Sequence, residues 1–452
     1  MKADKSIIKH LLTVAWPLML SMTGQLILQL TDGIFLARFS PDAVAASGPA
    51  GIMCFFFGSF FNGVLWYSTA LIAQCYGKGE RLRIGSLVWQ GLYLAVAFGT
   101  LLLALTPLVQ NIFAIMNHPP ALLEMQQQYF RISCYGLPMM LISSVLCGFY
   151  SGRGDTRPIL FIQGVGFFLN IVFDYLLIFG AFGFPRLGVV GAGYATVIAQ
   201  SASMVAALIL VFQPKWHGEY GTWNARYRWE DMVLYFRFGF ASGLRFMVEV
   251  FAWTAFMLFV GRISPLAVAT TNIVFRLNSV TFLPLMGLSE AVRTLVGQAQ
   301  GRRDSDYATR VTWHGFVLAE AWMLLIAALF LVFPRFLLSI FATSGDVESF
   351  VQFAEISALG VVLLRYVAAY SLVDAANCVF VMALQGAGDA RWTMIASAVI
   401  SVLMFTTLLA ADYFFQGIHA TWSVMTFFVF VMAVTWWWRF HNGKWKKIVV
   451  IE

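Results

Sequence analysis

Runs of about 20 mostly apolar residues recur along the whole chain, which is the length that an α-helix needs to cross a hydrocarbon core of about 30 Å. Of the 452 residues, 60% are hydrophobic and only 11% are charged, whereas a soluble domain devotes about a quarter of its residues to charge. The runs are too long for a β-barrel, whose strands alternate apolar and polar residues over about ten positions. The sequence therefore predicts an all-α polytopic membrane protein.

Twelve transmembrane helices are predicted, at residues 11–36, 45–72, 85–107, 124–149, 158–180, 189–212, 233–260, 267–295, 311–333, 352–384, 392–415 and 418–439. The first run follows the basic start MKADKSIIKH, and no small-residue cleavage site comes after it. We therefore expect a retained span and not a removed signal.

The positive charges of the predicted loops are unequally distributed between the two sides of the membrane. With a cytoplasmic N-terminus, twenty Lys and Arg residues fall in inner segments, and five fall in outer ones: Arg38, Arg131, Arg186, Arg262 and Arg335. Because positively charged loops stay on the cytoplasmic side, both termini are expected in the cytoplasm and the protein in the inner membrane. The net charge of +7 then follows from topology and needs no nucleic-acid partner.

Two halves of the chain share sequence motifs in the same order. LARFSPDAVAA at 36–46 matches FVGRISPLAVATT at 259–271 with an offset of 224, and SGRGDTRP at 151–158 matches QGAGDARW at 385–392 with an offset of 234. These repeats predict two pseudo-symmetric lobes of six helices, inserted with the same orientation, an architecture typical of transporters. The predicted division is an N-terminal lobe at 1–212, a cytoplasmic linker at 213–231, and a C-terminal lobe with a short basic tail at 232–452.

The chain resembles the multidrug and toxic compound extrusion (MATE) family in three features taken together. These are the twelve spans in two parallel halves, the stretch TDGIFLARFSPDAVAA and the later GRGDTRP. The resemblance covers essentially the whole chain. It implies a monomeric secondary antiporter that exports organic, often cationic and aromatic, compounds in exchange for H⁺ or Na⁺. No cofactor is expected beyond that coupling ion, and no ATP is expected because the glycine motifs lack the Lys-Ser/Thr of a phosphate loop.

Carboxylates within the predicted spans need a physical reason, because each costs at least about 2.5–3.5 kcal/mol at the centre of a bilayer. None of these acids is repeated in the other half, so each half is expected to have its own chemistry. The N-terminal half carries Asp32 and Asp174 and has no Lys or Arg deep in any predicted span. Two carboxylates about 4 Å apart repel each other by roughly 4 kcal/mol at an effective dielectric constant of 20, which favours uptake of a proton or Na⁺.

Asn170 and Asp174 lie four residues apart and therefore share one helical face, and Thr196 offers a hydroxyl from the next span. The family resemblance places Asp32, Asn170, Asp174 and Thr196 in the cation-coupling site of the N-terminal lobe, where Na⁺ or H⁺ would bind. It also places Glu249 and Asp374 in a second acidic site. Arg245 lies four residues before Glu249, so a structural ion pair is an equally open interpretation for Glu249.

Three classes of function are open to such a chain. The first is drug export, and the second is a flippase or exporter for a lipid-linked precursor or metabolite, which Arg245, Arg276 and Arg365 within the spans keep open. A membrane-embedded enzyme is disfavoured, because the spans contain no histidine cluster, metal-ligand spacing or nucleophile–base pair. The five cysteines show no metal-type spacing and are interpreted as small packing residues.

Overall fold

The computed structural model describes residues 2–116, 119–341, 347–415 and 417–451, and within these ranges it is helical and contains no strand. Twelve of its helices are long and apolar enough to cross a membrane, which confirms the predicted number. They are α1 (Asp4–Phe39), α2 (Pro41–Lys78), α3 (Arg81–Ala114), α4 (Pro120–Arg153), α5 (Arg157–Phe179), α6 (Val189–Val211), α7 (Trp229–Ile263), α8 (Pro265–Gly301), α9 (Ser305–Val332), α10 (Phe353–Gly386), α11 (Ala390–Phe414) and α12 (Ile418–His441).

The repeated motifs take the same local structure in both halves. Ser40 Oγ accepts a hydrogen bond from the Ala43 N–H (3.0 Å) at the start of α2, and Ser264 Oγ accepts one from the Ala267 N–H (3.1 Å) at the start of α8. In both places a proline follows the serine as the first helical residue. The shared Ser-Pro therefore encodes a helix start.

The two glycine motifs end α4 and α10. Gly154 and Gly388 have φ of +79° and +97°, a conformation that favours glycine. The next residue in each case, Asp155 or Asp389, donates its backbone N–H to a carbonyl five residues earlier, at 3.2 and 2.9 Å. These are helix C-caps of the Schellman type.

A reciprocal contact joins the ends of α2 and α8. Gly77 packs against the backbone of Gln298, and Gly301, at the offset of 224, packs against the backbone of Gln74. A Cβ at either glycine would overlap a carbonyl oxygen, so only glycine permits this approach.

Two units can be distinguished by their internal packing. The first comprises Met1–Met19, Val248–Val296 and Ser305–Ile448, with a core that includes Phe256, Val367 and Trp422. The second comprises Leu20–Met247, Gly297–Asp304 and Val449–Glu452 and includes a cluster of Leu36, Ala43 and Ile178. Helices α1 and α7 each contribute residues to both units. The division into lobes at 1–212 and 232–452 remains a prediction.

The linker at 213–231 forms hydrogen bonds and an ion pair with side chains of α3. Trp89 Nε1 donates to the carbonyl oxygen of Thr222 at 2.7 Å, and Gln90 Nε2 donates to that of Arg226 at 3.2 Å. Arg83 Nε lies 2.8 Å from the buried Asp231 carboxylate. The polar residues of the linker therefore find their partners on α3, within the second unit.

A guanidinium group also anchors the short helix Pro214–Tyr220 of the linker. The side chain of Arg153 is 6% exposed, and its guanidinium carbon lies 4.2 Å from the ring centre of Trp216 and 4.5 Å from that of Tyr220. Burial raises the pKa of Tyr220 to about 12, so this ring faces Arg153 as a neutral phenol. Cation–π contacts of this kind are strengthened by desolvation, and they fix the linker to the end of α4.

Candidate cation-binding site

The structure brings Asp32, Asn170 and Asp174 together within the second unit. Asn170 and Asp174 project from one face of α5 and are 1% and 0% exposed, respectively. Asp32 lies on α1 and is half-buried. Its carboxylate is within hydrogen-bonding reach of that of Asp174. The predicted encounter of these two unrepeated acids is therefore present.

One amide group serves both carboxylates. With its nitrogen turned toward the acids, Asn170 donates to Asp174 Oδ2 at 2.9 Å and to Asp32 Oδ1 at 3.0 Å. The other oxygen of Asp174, Oδ1, is buried and has no hydrogen-bond partner in the described part of the chain. Two acids thus share two N–H groups, and one buried oxygen is left for a further proton or cation.

No positively charged group is identified beside either acid in the part of the chain that the structure describes. The electrostatic partners identified for each acid are the other acid and the hydroxyl of Tyr129. An unpaired buried carboxylate is costly, and two of them side by side add mutual repulsion. Binding one proton or one Na⁺ removes much of both costs, which makes the site suited to a cation that enters and leaves.

The amide of Asn170 can act in two ways at this site. With the nitrogen inward it stabilises two carboxylates through N–H groups, and with the oxygen inward it offers a third oxygen ligand beside the two carboxylates. Hard cations such as Na⁺ prefer oxygen ligands, as Ca²⁺ and Mg²⁺ do. Rotation of one side chain therefore converts a hydrogen-bonded site into a cation-ligating one.

Thr196 lies at the edge of the site. Its Oγ1 donates to the carbonyl oxygen of Ala192 at 3.0 Å, within its own helix α6, and lies 3.5 Å from the side-chain amide of Asn170. The structure places this predicted residue next to Asn170, although its hydroxyl hydrogen is already used.

Tyr129 on α4 is a neighbour that the sequence analysis missed. Its hydroxyl hydrogen-bonds to Ser133, and Tyr129 interacts electrostatically with both Asp32 and Asp174. The signal that marks it is the polar run Gln126–Gln128 immediately before it, which is unusual in a span.

Three aromatic rings cluster between the two helices that carry the acids. The ring centre of Phe35 lies 6.2 Å from that of Tyr175 and 5.8 Å from that of Phe179, and Tyr175 follows Asp174 directly in the chain. Spacing alone did not indicate that these rings would cluster, because they come from two different helices.

The acids predicted for the second site lie in the first unit and have separate partners. Glu249 Oε1 accepts a hydrogen bond from Ser397 Oγ at 3.1 Å. Asp374, 6% exposed, accepts one at 3.1 Å from Asn377, whose own oxygen accepts from Trp436 Nε1 at 2.8 Å. Arg245 is buried and belongs to the second unit, whereas Glu249 belongs to the first, so their pairing remains a prediction.

Comparison with known proteins gives matches over most of the chain. The sequence model of the MatE family matches residues 17–176 and 241–409. A protein of Thermotoga maritima named "Probable multidrug resistance protein NorM" is 27% identical over 451 residues, covering 98% of this chain and 94% of its own. A protein of the same name from Pseudomonas putida is 28% identical, covering 96% of this chain and 91% of its own.

Solved structures have the same fold. A structure described as the outward-facing conformation of a multidrug resistance MATE family transporter matches with a TM-score of 0.87 at 19% identity, over 98% of this chain and 97% of that one. A MOP superfamily transporter from Pyrococcus furiosus, whose description reports reverse polarity of the binding pocket, matches with a TM-score of 0.85, also at 19% identity and over the same shares.

Proposed function

The chain belongs to the MatE family, and from this premise we propose that it is a secondary active antiporter that exports organic, often cationic and aromatic compounds in exchange for H⁺ or Na⁺ by alternating access. Membership makes it a multi-pass membrane transporter of small molecules and not an enzyme. The names of its relatives, which refer to multidrug resistance, support drug-like substrates.

The observation that carries the proposal is the shared amide between Asp32 and Asp174. A static structural acid is normally supplied with a full set of donors, whereas Asp174 Oδ1 has none among the described residues. Asn170 supports both forms of the site, as donor to the empty carboxylates and as ligand to a bound Na⁺. We therefore assign Asp32, Asn170 and Asp174 to cation coupling, with Thr196 at the periphery.

Helix α1 supplies a physical connection between the cation and the rest of the molecule. Residues up to Met19 belong to the first unit and those from Leu20 onward, including Asp32, belong to the second. Neutralisation of Asp32 therefore acts on a helix that is part of both units. Coupling in alternating access requires that the cation and the substrate bias the same conformational equilibrium, and a helix with residues in both units is suited to this role.

The proposal includes an inner-membrane location, cytoplasmic termini, a monomeric state, and no cofactor or ATP beyond the coupling ion. The excess of Lys and Arg in the predicted inner segments supports this topology. A cysteine introduced at Lys444 should react only with reagents applied from the cytoplasmic side. Reaction with a membrane-impermeant reagent in intact cells would show that the predicted orientation is wrong.

A second candidate, export or flipping of a lipid-linked precursor or an anionic metabolite, rests on arginines in the first unit. Arg276 on α8 and Arg365 on α10 have exposed side chains although they lie within spans. Arginine in such positions generally faces a water-filled path, where it would attract a phosphate or carboxylate. The structural relative described with reverse pocket polarity shows that this fold occurs with different binding surfaces.

The test is transport by the purified protein in proteoliposomes, with a pH gradient or a Na⁺ gradient imposed separately. We expect an organic dye cation to accumulate with one of the two gradients and to be released when an ionophore collapses it. Movement of a lipid-linked pyrophosphate, with no dye transport under either gradient, would favour the second candidate instead.

A further inference from the structure

A pair of thiols lies deep in the second unit, apart from the acids. Cys54 on α2 and Cys134 on α4 are 80 positions apart in sequence, yet their sulfur atoms lie 4.0 Å from each other. Their exposed fractions are 8% and 0%, and both are free cysteines. Each lies about 20 Å along its helix at the helical rise of 1.5 Å per residue, far from the helix start.

Hydroxyl-bearing side chains and aromatic rings lie near the pair. Thr106 on α3, 3% exposed, hydrogen-bonds to the thiol of Cys134. The ring of Phe130 lies one turn before Cys134 and contacts those of Phe57 and Phe113. Tyr129, the neighbour of the acid pair, interacts electrostatically with Cys54 as well. Tyr129 therefore lies near both the thiols and the acids.

We propose that Cys54 and Cys134 form a binding site for a soft divalent cation that takes two sulfur ligands, of which Hg²⁺ is the probe. Sulfur ligands select soft metal ions, and the thiolate is the form that binds. Each thiol releases one proton to the solvent, two metal–sulfur bonds form, and no electron is transferred. The product is electrically neutral, which suits a site without a buried countercharge.

The geometry fits such an ion with little rearrangement. Two metal–thiolate bonds of about 2.3 Å each place opposed sulfur atoms about 4.6 Å apart, roughly 0.6 Å more than in this structure. Side-chain rotation accommodates that difference. Zn²⁺ is a poorer fit, because its structural sites use four ligands and the described surroundings supply only two sulfurs and hydroxyl groups.

Occupancy would connect α2 to α4 beside Tyr129. If the proposed function is correct, a metal bridge at this position restrains α4 near Tyr129, which interacts with both acids, and Hg²⁺ should inhibit transport. This consequence rests on the proposed function, whereas binding itself does not.

Binding is tested on the purified protein in detergent, kept reduced, in a background with Cys75, Cys147 and Cys378 replaced by alanine. We expect one Hg²⁺ per chain by intact mass, two thiols lost to a thiol reagent, and two protons released. Removal of Hg²⁺ by a competing monothiol should require at least about 100-fold more competitor for the pair than for C54A or C134A, because two linked bonds act at high effective concentration.

Equal loss of Hg²⁺ from the pair and from the single-cysteine variants would overturn the proposal. If the three-alanine background does not fold, the wild-type chain is used instead, with protection of each cysteine from alkylation mapped after proteolysis. Protection of Cys54 and Cys134 together supports the site, and protection of neither contradicts it. Binding with no inhibition of transport leaves the site intact and argues only against its link to the cation cycle.

Discussion

The acids of the candidate cation-binding site and the acids predicted for the second site differ in the supply of hydrogen-bond donors. In the second unit, Asp32 and Asp174 share the single amide of Asn170, and one oxygen of Asp174 has no partner among the described residues. In the first unit, Glu249 is bonded to Ser397 and Asp374 to Asn377, so each acid has a donor of its own.

On the proposed function, this difference suits Asp32 and Asp174 to the exchange of a cation. A carboxylate with its own neutral donor is stable as it stands, and adding a proton displaces a hydrogen bond. Two carboxylates that compete for one amide are stabilised when a proton or Na⁺ binds. The hydrogen-bond donors around an acid within a span therefore indicate its role better than the number of such acids does.

The largest effect is expected from Asp174→Asn. Losing a carboxylate interaction of roughly 4 kcal/mol at a dielectric constant of 20 weakens cation binding by about 1000-fold, so gradient-driven export should disappear. Insertion should be normal, because a desolvated charge is removed. The measurement is dye export in proteoliposomes together with substrate binding across pH and Na⁺.

The matched variants make this test specific. Asp32→Asn should have the same effect, and the double variant should be no worse than either single one, since one shared site is lost. Substrate binding whose cation dependence is unchanged in Asp174→Asn would refute the assignment.

The second-largest effect on transport is expected from Asn170→Ala, which is compared with Asn377→Ala in the other unit. Asn170→Ala removes the only donor identified for both acids, each hydrogen bond to a charged group being worth about 1.5–3 kcal/mol. The empty site becomes less stable, so a proton is held more tightly, whereas Na⁺ also loses an oxygen ligand; with either ion, turnover should fall about tenfold or more. Turnover is measured as the initial rate of dye export at saturating substrate.

Asn377→Ala is the control in the other unit. It breaks the connection from Asp374 to Trp436 and should lower thermal stability while transport stays within about threefold. A loss of turnover equal to that of Asn170→Ala would remove the distinction between the two sites.

A smaller effect on transport is expected at Glu249. If Arg245 neutralises it, Glu249→Gln leaves a buried cation unpaired and should lower stability by about 3–5 kcal/mol. The combined change with Arg245→Gln should recover part of the loss. Stability is followed by thermal unfolding in detergent. A single variant that is abundant but inactive would show that Glu249 belongs to coupling or substrate binding.

The smallest effect is expected from Thr196→Val, which preserves shape and removes the hydroxyl. Because that hydroxyl donates to Ala192 and lies 3.5 Å from Asn170, export should change by no more than about threefold, which is below 1 kcal/mol. The assay is the dependence of export rate on Na⁺ and on pH. A shift of tenfold or more in the cation concentration for half-maximal export would make Thr196 a ligand.

Much of this architecture is accessible from sequence because it depends on local rules. Hydrophobic length gives the twelve spans, the Ser-Pro motifs give two helix starts, and the four-residue spacing places Asn170 and Asp174 on one face. Each of these depends on residues that are near one another in the chain.

Contacts between distant helices are not accessible in this way. Nothing in the local pattern brings Tyr129 to Asp32, or Cys134 to within 4.0 Å of Cys54. The linker at 213–231 is predicted only as a cytoplasmic linker, and its composition does not indicate that Trp89 and Arg83 bind it along α3. Such partners depend on how helices pack, which composition and periodicity do not encode.

The reciprocal packing of Gly77 on Gln298 and of Gly301 on Gln74 has an evolutionary meaning. In a symmetric dimer, residue i of one copy contacts residue j of the other and the reverse also holds, which is the relation seen here between repeats of one chain. The contact therefore has the pattern expected if two separate six-helix proteins once formed a two-fold symmetric dimer and their genes later fused. A homodimer carries every side chain twice, whereas Asp32 and Asp174 occur in one half alone. On this history the division of labour between the halves began only once a single gene encoded both of them.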